Sequence, residues 1–367
     1  LIRLITAEKI YVSFNWVVCL AIGLTASSIL TSLFGVSFNN SLWSSYERMQ
    51  GLIEMVHWAA FIVMLVSTFK VTDFLRLVLP VNFIIVTVVG VIGVLQYHGI
   101  FLSLNFLEYS GQDSRIDSTV GNPTYLGSIC GINIFIGLLL VSAKFNDRSS
   151  SVAMQSRAIR RRVSQTASSF SKSKSYLPQL LIIIASFINL YAVFLSGTRA
   201  SILAILISSL VTALLCGFYK PGFLMARKLI VAAVFALLIL LTAFFGYKDS
   251  TAVSAFTKLH PTLERFSALS LEESSVAGRY KTWKTGLKAF SEKPLLGWGT
   301  DNFMASWAIY YDGSDPNDER FDQAHNKAVE VLVTNGLVGF LIYAGLWTSI
   351  AFYAVKIYRR RGLTEQI

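Results

Sequence analysis

The sequence predicts an all-α fold, a polytopic transmembrane helical bundle with about eight spans in this chain and one large extracytoplasmic loop. Composition is the first observation behind this prediction, because 54% of the 367 residues are hydrophobic and only 14% are charged, against roughly 25% charged in a soluble domain. The mean hydropathy of +0.56 agrees. The other two observations are the recurrence of long uncharged apolar runs and the uneven distribution of Lys and Arg between them. Together they indicate a membrane protein.

Apolar runs long enough to cross a ~30 Å hydrocarbon core define the predicted spans. Most of these runs carry no charged residue, and one is interrupted by Glu54 and His57. The spans are expected at about 11–35, 52–69, 77–97, 123–143, 177–195, 200–218, 229–247 and 336–355. Because the chain begins with Leu1 and a short apolar stub, we expect that a span or two of the complete protein lie beyond its ends.

The loops between the spans differ in charge, which predicts the side of the membrane on which each lies. One alternating set of loops holds 19 basic and 4 acidic residues, whereas the rest of the chain holds 13 basic and 17 acidic ones. Basic loops face the cytoplasm. The first set is therefore predicted to be cytoplasmic. Both ends of this chain belong to that set and are predicted to lie in the cytoplasm as well. The net charge of +11 then reflects topology and does not indicate nucleic-acid binding.

Three regions follow from this topology. Residues 1–247 hold seven spans and a basic, serine-rich cytoplasmic linker at 144–176, residues 248–335 form the large external loop, and residues 336–367 form the last span and a basic tail. The linker lacks apolar periodicity, so we interpret it as a solvated segment on anionic lipid, over a regulatory or nucleic-acid site. The external loop is long enough to indicate a function of its own.

Neither a metal site nor a cofactor is predicted. Cys19, Cys130 and Cys216 are widely spaced and fall within spans, which is typical of buried apolar cysteines. The acidic run at 312–322 lacks the glycine and terminal glutamate spacing of a calcium loop. We expect that run to be solvated.

The external loop contains a predicted amphipathic helix. Tyr280, Trp283, Leu287 and Phe290 recur at helical spacing within residues 277–290, and lysines occupy another face. This pattern favours a helix at the membrane interface.

A polar cluster stands directly before the last span. Free histidine has a pKa of ≈ 6.5, so His325 can exchange a proton near neutral pH. Asn326 and Glu330 share one helix face, where they either brace the local structure or orient the histidine; a solvated interfacial charge is the other interpretation of Glu330. The pair Asn335 and Gly336 is expected to separate a short interfacial helix from the span.

Two external arginines are candidates for binding an anionic ligand. Arg199 lies in a short turn between two spans, and Arg279 borders the aromatic face of the predicted helix. A guanidinium forms paired hydrogen bonds to phosphate oxygens and keeps its charge. An interfacial arginine also commonly reaches toward lipid headgroups, and for Arg199 both interpretations stand.

The outer end of the second span supplies a further group of candidates. Glu54 and His57 are one helical turn apart, and Arg48 comes just before them. They either contact a sugar or acceptor, or Glu54 and His57 form a hydrogen-bonded structural pair.

Three external stretches together resemble the O-antigen ligase family of bacterial membrane proteins: LSGTRASIL (195–203), GRYKTW (278–283) and AHNKAVEVLVTNGLVG (324–339). SLWSSYERMQGL (41–52) and STVGNPTYLG (118–127) are similar to other external motifs of that family, and the order of motifs agrees. The resemblance covers most of the chain. The chain departs from the family at its termini and in the long basic linker.

The resemblance implies a glycosyltransferase of the bacterial inner membrane with its active site on the extracytoplasmic face. In such proteins the donor is a glycan on undecaprenyl diphosphate. The acceptor is lipid A core in the ligases, a growing glycan in the polymerases and a protein Ser or Thr in the O-oligosaccharyltransferases. The resemblance implies that the functional residues of this chain are those at the matching motif positions, Arg199, Arg279 and His325.

These residue types predict a metal-independent inverting displacement. His325 accepts the proton of the acceptor hydroxyl as that oxygen attacks the anomeric carbon, and Arg199 and Arg279 stabilise the departing diphosphate. A lipid-glycan transporter or flippase is the competing class. It is disfavoured because no Asp, Glu, Lys or Arg falls in the middle of a predicted span, where coupled transporters normally carry such residues.

Overall fold

The computed structural model describes residues 15–46, 48–68, 74–100, 115–141, 176–219, 250–258, 262–264, 274–311 and 321–364, with single positions at 313 and between 232 and 247. In chain order the helices are α1 (Trp16–Leu33), α2 (Phe38–Trp43), α3 (Leu52–Thr68), α4 (Leu79–Tyr97, after a π-helical turn at Phe74–Val78), α5 (Pro123–Val141), α6 (Leu177–Leu195), α7 (Arg199–Tyr219), α8 (Thr251–Thr257), α9 (Ser274–Glu292), α10 (Phe303–Tyr310) and α11 (Lys327–Thr364). Every regular element in these ranges is helical, so the predicted all-α class is confirmed.

Long apolar helices account for most of the predicted spans. Within the described ranges, five helices are long and apolar enough to cross a membrane: Trp16–Leu33, Phe74–Tyr97, Pro123–Val141, Leu177–Leu195 and Lys327–Lys356. Two further apolar helices are shorter by the same measure, Leu52–Thr68 and Arg199–Thr212. The chain is therefore a multi-pass membrane protein. The predicted span at 229–247 falls largely, and the linker at 144–176 almost entirely, outside the described residues, so the count of eight spans stays a prediction.

The helices group into two compact units. One contains residues 1–70 and 270–367, and the other contains residues 71–269. The first unit thus joins α1 to α3 with α9 to α11, so that the described part of the external loop at 274–311 packs with helices from both ends of the chain.

In the first unit, α1 packs along α11. The contact at the outer end of α1 is polar, because Ser28, Thr31 and Ser32 are fully buried there. Asn335 donates from Nδ2 to Ser28 Oγ (2.8 Å) and Thr31 Oγ1 (3.2 Å). This buried network fixes the position of α11 at residue 335, just before the helix changes direction.

Helix α11 breaks at Gly336, as the sequence predicted. Gly336 has φ 63° and ψ −166°, a conformation that is nearly exclusive to glycine. The loop at 294–299 satisfies the backbone groups freed by the break. Trp298 N donates to Val333 O (3.0 Å), Gly299 N donates to Thr334 O (2.7 Å), and Leu337 N donates to Pro294 O (2.8 Å). The break is therefore a hydrogen-bonded joint.

Helix α9 forms where it was predicted, and the residues of its predicted apolar face divide between two environments. Tyr280 is 69% exposed and Leu287 is 47% exposed, so these two do not share an environment with the aromatic residues Trp283 and Phe290, which pack onto the core cluster of the first unit. The buried strip is instead made of small residues at a spacing of four, Gly278, Thr282 and Gly286. Small side chains form this buried strip because they let large aromatic rings approach the helix closely.

The partners of that small strip are Phe303 and Phe321. A Cβ added at Gly286 would meet Phe303 at 3.1 Å, and one at Gly278 would meet Phe321 at 3.0 Å. Helix α9 is thereby held against α10 and against the segment that leads into α11.

The second unit is built on α4 packed against α6. Asn133 and Asn189 are fully buried between apolar residues, and Asn189 Nδ2 donates to Thr87 Oγ1 (3.0 Å). Close approach is possible because Gly90 faces Asn189 and Cys130. These amides join helices within the apolar region.

Candidate functional site

His325 lies in a turn immediately before α11, and the side chains around it hold both of its neighbours. Ala324 N donates to Oε2 of Glu330 (2.7 Å), and Ala324 O accepts from Nε1 of Trp283 (2.9 Å). On the other side, Oδ1 of Asn326 accepts from Ala328 N (3.1 Å), which caps the first turn of α11. The turn is therefore fixed from three directions.

This bracing imposes an unusual backbone at His325. Its φ is +49°, in the left-handed region that a non-glycine residue seldom adopts. The ring stands edge-on to Phe321, with centroids 5.9 Å apart, so it is partly shielded while the residue stays accessible to solvent. Such strain concentrates at functional positions, so the conformation supports the choice of His325 as a site residue.

Asn326 and Glu330 act as braces, one of the two roles predicted for them. Glu330 is only 6% exposed, so its interpretation as a solvated interfacial charge is wrong. Burial raises the pKa of Glu330 to about 7, and the hydrogen bond from Ala324 N opposes part of that rise, so the side chain is buried with only part of its negative charge at neutral pH.

Charged groups around His325 set its proton affinity. Partial burial lowers the pKa of His325, and the positive charge of Arg279 lowers it further. Asp322 opposes this effect, and Arg48 adds to it. The pKa therefore falls below that of free histidine, which keeps the ring neutral and able to accept a proton at neutral pH.

Arg48 and Asp322 form a two-point ion pair across the first unit. Nε of Arg48 donates to Oδ2 of Asp322 (2.7 Å), and its Nη2 donates to Oδ1 (3.1 Å). Both side chains are about one-third exposed, so the pair contributes about 0–1 kcal/mol to stability. Its larger effect is to join the segment before α3 to the segment before His325.

Glu54 and His57 are not brought together as a hydrogen-bonded pair. Nδ1 of His57 lies 2.7 Å from Ile53 O, while Oε1 of Glu54 accepts from Nε1 of Trp58 (3.0 Å). Each side chain bonds within its own helical turn, and His57 faces outward.

Arg199 begins α7 in the second unit, after a tight turn whose polar groups are buried. Gly197 has φ +59°, and Thr198 Oγ1 donates to Pro123 O (3.0 Å). Arg115 supports the turn, because its Nε donates to Ser196 O (2.8 Å) and its Nη2 to Thr198 Oγ1 (3.1 Å). The turn thus places the partly buried Arg199 at the start of a helix.

The structure brings together Arg279, His325, Arg48 and Asp322 within the first unit. Arg199 belongs to the second unit, and its grouping with His325 stays a prediction. Sequence reasoning missed the pairing of Asp322 with Arg48 and the bracing by Arg115, because no local pattern links residues that lie 274 or 81 positions apart.

Fold and site together define a class, an all-helical multi-pass membrane protein with a basic cluster and a strained histidine beside an apolar helix. Residues 184–344 match a family model described as O-Antigen ligase. The matched segment is therefore similar to the O-antigen ligase family, and this similarity supports a glycosyltransferase acting on glycan and lipid-linked substrates. The matched segment contains Arg199, Arg279 and His325, whereas Arg48 and His57 precede it. A comparison with curated proteins found no match.

Proposed function

We propose that the chain transfers a glycan from undecaprenyl diphosphate to an acceptor hydroxyl, as an O-antigen ligase, at the extracytoplasmic face of the bacterial inner membrane. The observation that carries the proposal is the cluster around His325, where a histidine of lowered pKa stands in a braced, strained turn beside Arg279. Polymerase and protein O-oligosaccharyltransferase activities differ from this only in the acceptor.

In the proposed reaction, the acceptor oxygen attacks the anomeric carbon while His325 takes up the hydroxyl proton. The bond from that carbon to the diphosphate oxygen breaks, and undecaprenyl diphosphate leaves with the electron pair. Arg279 and Arg199 stabilise the developing charge through guanidinium hydrogen bonds. His325 then returns its proton to water. Displacement from the opposite face inverts the anomeric configuration.

The decisive experiment is turnover by the purified chain in lipid nanodiscs. Undecaprenyl diphosphate glycan is incubated with lipid A core, a free glycan or a Ser/Thr peptide, and both released undecaprenyl diphosphate and the transferred product are measured. We expect acceptor-dependent release with one acceptor class. Transport of intact lipid-linked glycan across a sealed vesicle, without release of undecaprenyl diphosphate, would instead establish the flippase alternative.

Activity is expected to be independent of divalent metal, because two guanidinium groups offset the diphosphate charge. Turnover should persist in excess chelator. Loss of turnover that added Mg²⁺ or Ca²⁺ restores would contradict this mechanism and implicate the acidic run at 312–322, which lies largely outside the described residues.

A further inference from the structure

A cavity of ≈ 320 Å³ lies in the first unit, lined by residues of α1, α3, α11 and the loop before α10. Its volume falls in the range of small-molecule sites, roughly 300–1,000 Å³. Three carboxyl groups, those of Glu54, Asp301 and Glu330, line it together with a single cation, Lys327. The lining thus differs in chemistry from the nearby arginines.

This lining does not favour the donor diphosphate as the occupant. Burial raises the pKa of Glu330 to about 7 and also raises that of Asp301, so the wall keeps some negative charge, and against it the cavity offers phosphate oxygens one lysine and no guanidinium. A metal ion is also not indicated, since no group of three or more His, Cys, Asp or Glu side chains in the described ranges is arranged to hold one. A wall that combines carboxyl groups, an ammonium and an amide suits a neutral ligand with many hydrogen-bonding groups.

A sugar ring has that chemistry. Its hydroxyls donate to carboxylates such as Glu54 and Asp301, and they accept from the amide of Gln50 and the ammonium of Lys327, all of which line the cavity. Apolar side chains, Met55 and Tyr343 among them, complete the wall and suit the C–H face of the ring. A mixed wall of this kind is typical of ligand sites.

The cavity is coupled to the candidate base through Glu330. This side chain lines the cavity and also accepts the hydrogen bond from Ala324 N, directly before His325. Asp301, which lines the cavity, also has a left-handed backbone, with φ +59°. One buried side chain, Glu330, therefore joins the cavity to the turn that carries the proposed base.

We propose that this cavity binds the terminal sugar of the acceptor, which makes the acceptor a glycan and not a hydroxyl amino acid of a protein. The identification of the ligand as the acceptor rests on the proposed glycosyl transfer. The inference that the cavity binds a sugar rests on the cavity alone.

The test uses the full chain in nanodiscs and saturation-transfer NMR with methyl glycosides of glucose, galactose, mannose and N-acetylglucosamine. We expect binding of at least one glycoside to the wild type. Met55→Trp places an indole into the cavity and should abolish that signal. Met64→Trp, on the same helix at a 54% exposed position, is the matched control and should bind as the wild type does. Equal binding by the two variants, or no glycoside binding by the wild type, would overturn the proposal.

A milder pair of variants keeps the test decisive if Met55→Trp does not fold. Glu54→Gln removes a charged acceptor while keeping side-chain size, and it should weaken glycoside binding roughly tenfold or more. Glu292→Gln, an exposed position on α9, should leave binding unchanged. If Glu54→Gln binds as tightly as Glu292→Gln, the sugar site is wrong.

Kinetics separate this inference from the proposed function. With a glycan acceptor, Glu54→Gln should raise the acceptor KM roughly tenfold and leave binding of undecaprenyl diphosphate glycan unchanged. Glycoside binding by a wild-type chain that releases no undecaprenyl diphosphate would refute the proposed function and leave the sugar site standing. Transfer to a Ser/Thr peptide, unaffected by Met55→Trp, would refute the acceptor assignment.

Discussion

At the scale of single residues, different neighbours of His325 control the position of its ring and its proton affinity. The backbone strain and the bracing of Ala324 fix where the ring stands, whereas Arg279 and Asp322 tune its proton affinity. Mutations of the first kind alter geometry, and mutations of the second kind alter pH dependence.

The base and the diphosphate contacts should respond differently to truncation. His325→Ala should abolish turnover and leave donor binding intact, because the histidine addresses the acceptor hydroxyl. Arg279→Ala and Arg199→Ala should each weaken donor binding by about one to two orders of magnitude, since a charge-assisted hydrogen bond contributes about 1.5–3 kcal/mol. Lysine at either position keeps the charge without the planar fork, so partial activity is expected.

The measurement pairs donor binding with single-turnover transfer for each variant. Lys284→Ala, an exposed position on the same helix as Arg279, is the control and should match the wild type in both. A His325→Ala variant that loses donor binding as fully as Arg279→Ala would move His325 to the donor-binding groups.

The pH profile tests the electrostatics of His325 directly. A general base must be neutral, so kcat/KM should fall as the pH drops through its pKa, with a midpoint below 6.5 because burial and Arg279 lower that pKa. Asp322→Asn removes the charge that opposes the shift, so the midpoint should move to still lower pH. Glu292→Gln should leave it in place. A midpoint that rises in Asp322→Asn would show that the titrating group is not His325.

At the scale of elements, the joint between the loop at 294–299 and the break in α11 organises the first unit. Gly297 and Gly336 face each other so closely that a Cβ on Gly297 would lie 2.5 Å from Gly336 N. The loop forms hydrogen bonds with the backbone groups that lose their helical partners at the break. The direction of the long apolar helix therefore depends on residues of the loop, which lie outside the helix.

Gly336→Ala should disrupt this joint. The added Cβ would lie 2.3 Å from Leu295 O, and backbone atoms cannot yield as a flexible side chain does. Gly313→Ala is the control, since Gly313 has φ +67° but open space around its Cβ position; it should cost about 1–2 kcal/mol from the left-handed backbone alone. Thermal unfolding in detergent compares the two, and an equal loss of stability would contradict the steric argument.

At the scale of the whole molecule, the prediction concerns topology. The sides assigned by the Lys and Arg asymmetry place Tyr280 outside and Ser150 in the cytoplasmic linker. In a background lacking native cysteines, Tyr280→Cys should react with a membrane-impermeant maleimide in intact cells, since this position on α9 is 69% exposed. Ser150→Cys should react only after the membrane is opened. Labelling of Ser150→Cys from outside would invert the assigned sides and remove the external site.

The sequence by itself determined the all-α membrane class, most of the span positions, the break at Gly336 and the resemblance to the O-antigen ligase family. These follow from information that is local along the chain, namely apolar run length, glycine conformational freedom and short motifs. Tertiary structure alone decided which face of α9 is buried, that Glu330 is a buried brace, and that Asp322 pairs with Arg48. The physical reason is that the buried face of α9 and the pairing of Arg48 depend on partners distant in sequence, such as Phe303 against Gly286, or Asp322 at 274 positions from Arg48. Glu330 bonds to Ala324 only six positions away, but its burial is a result of tertiary packing, and hydrophobic periodicity does not specify which segments pack together.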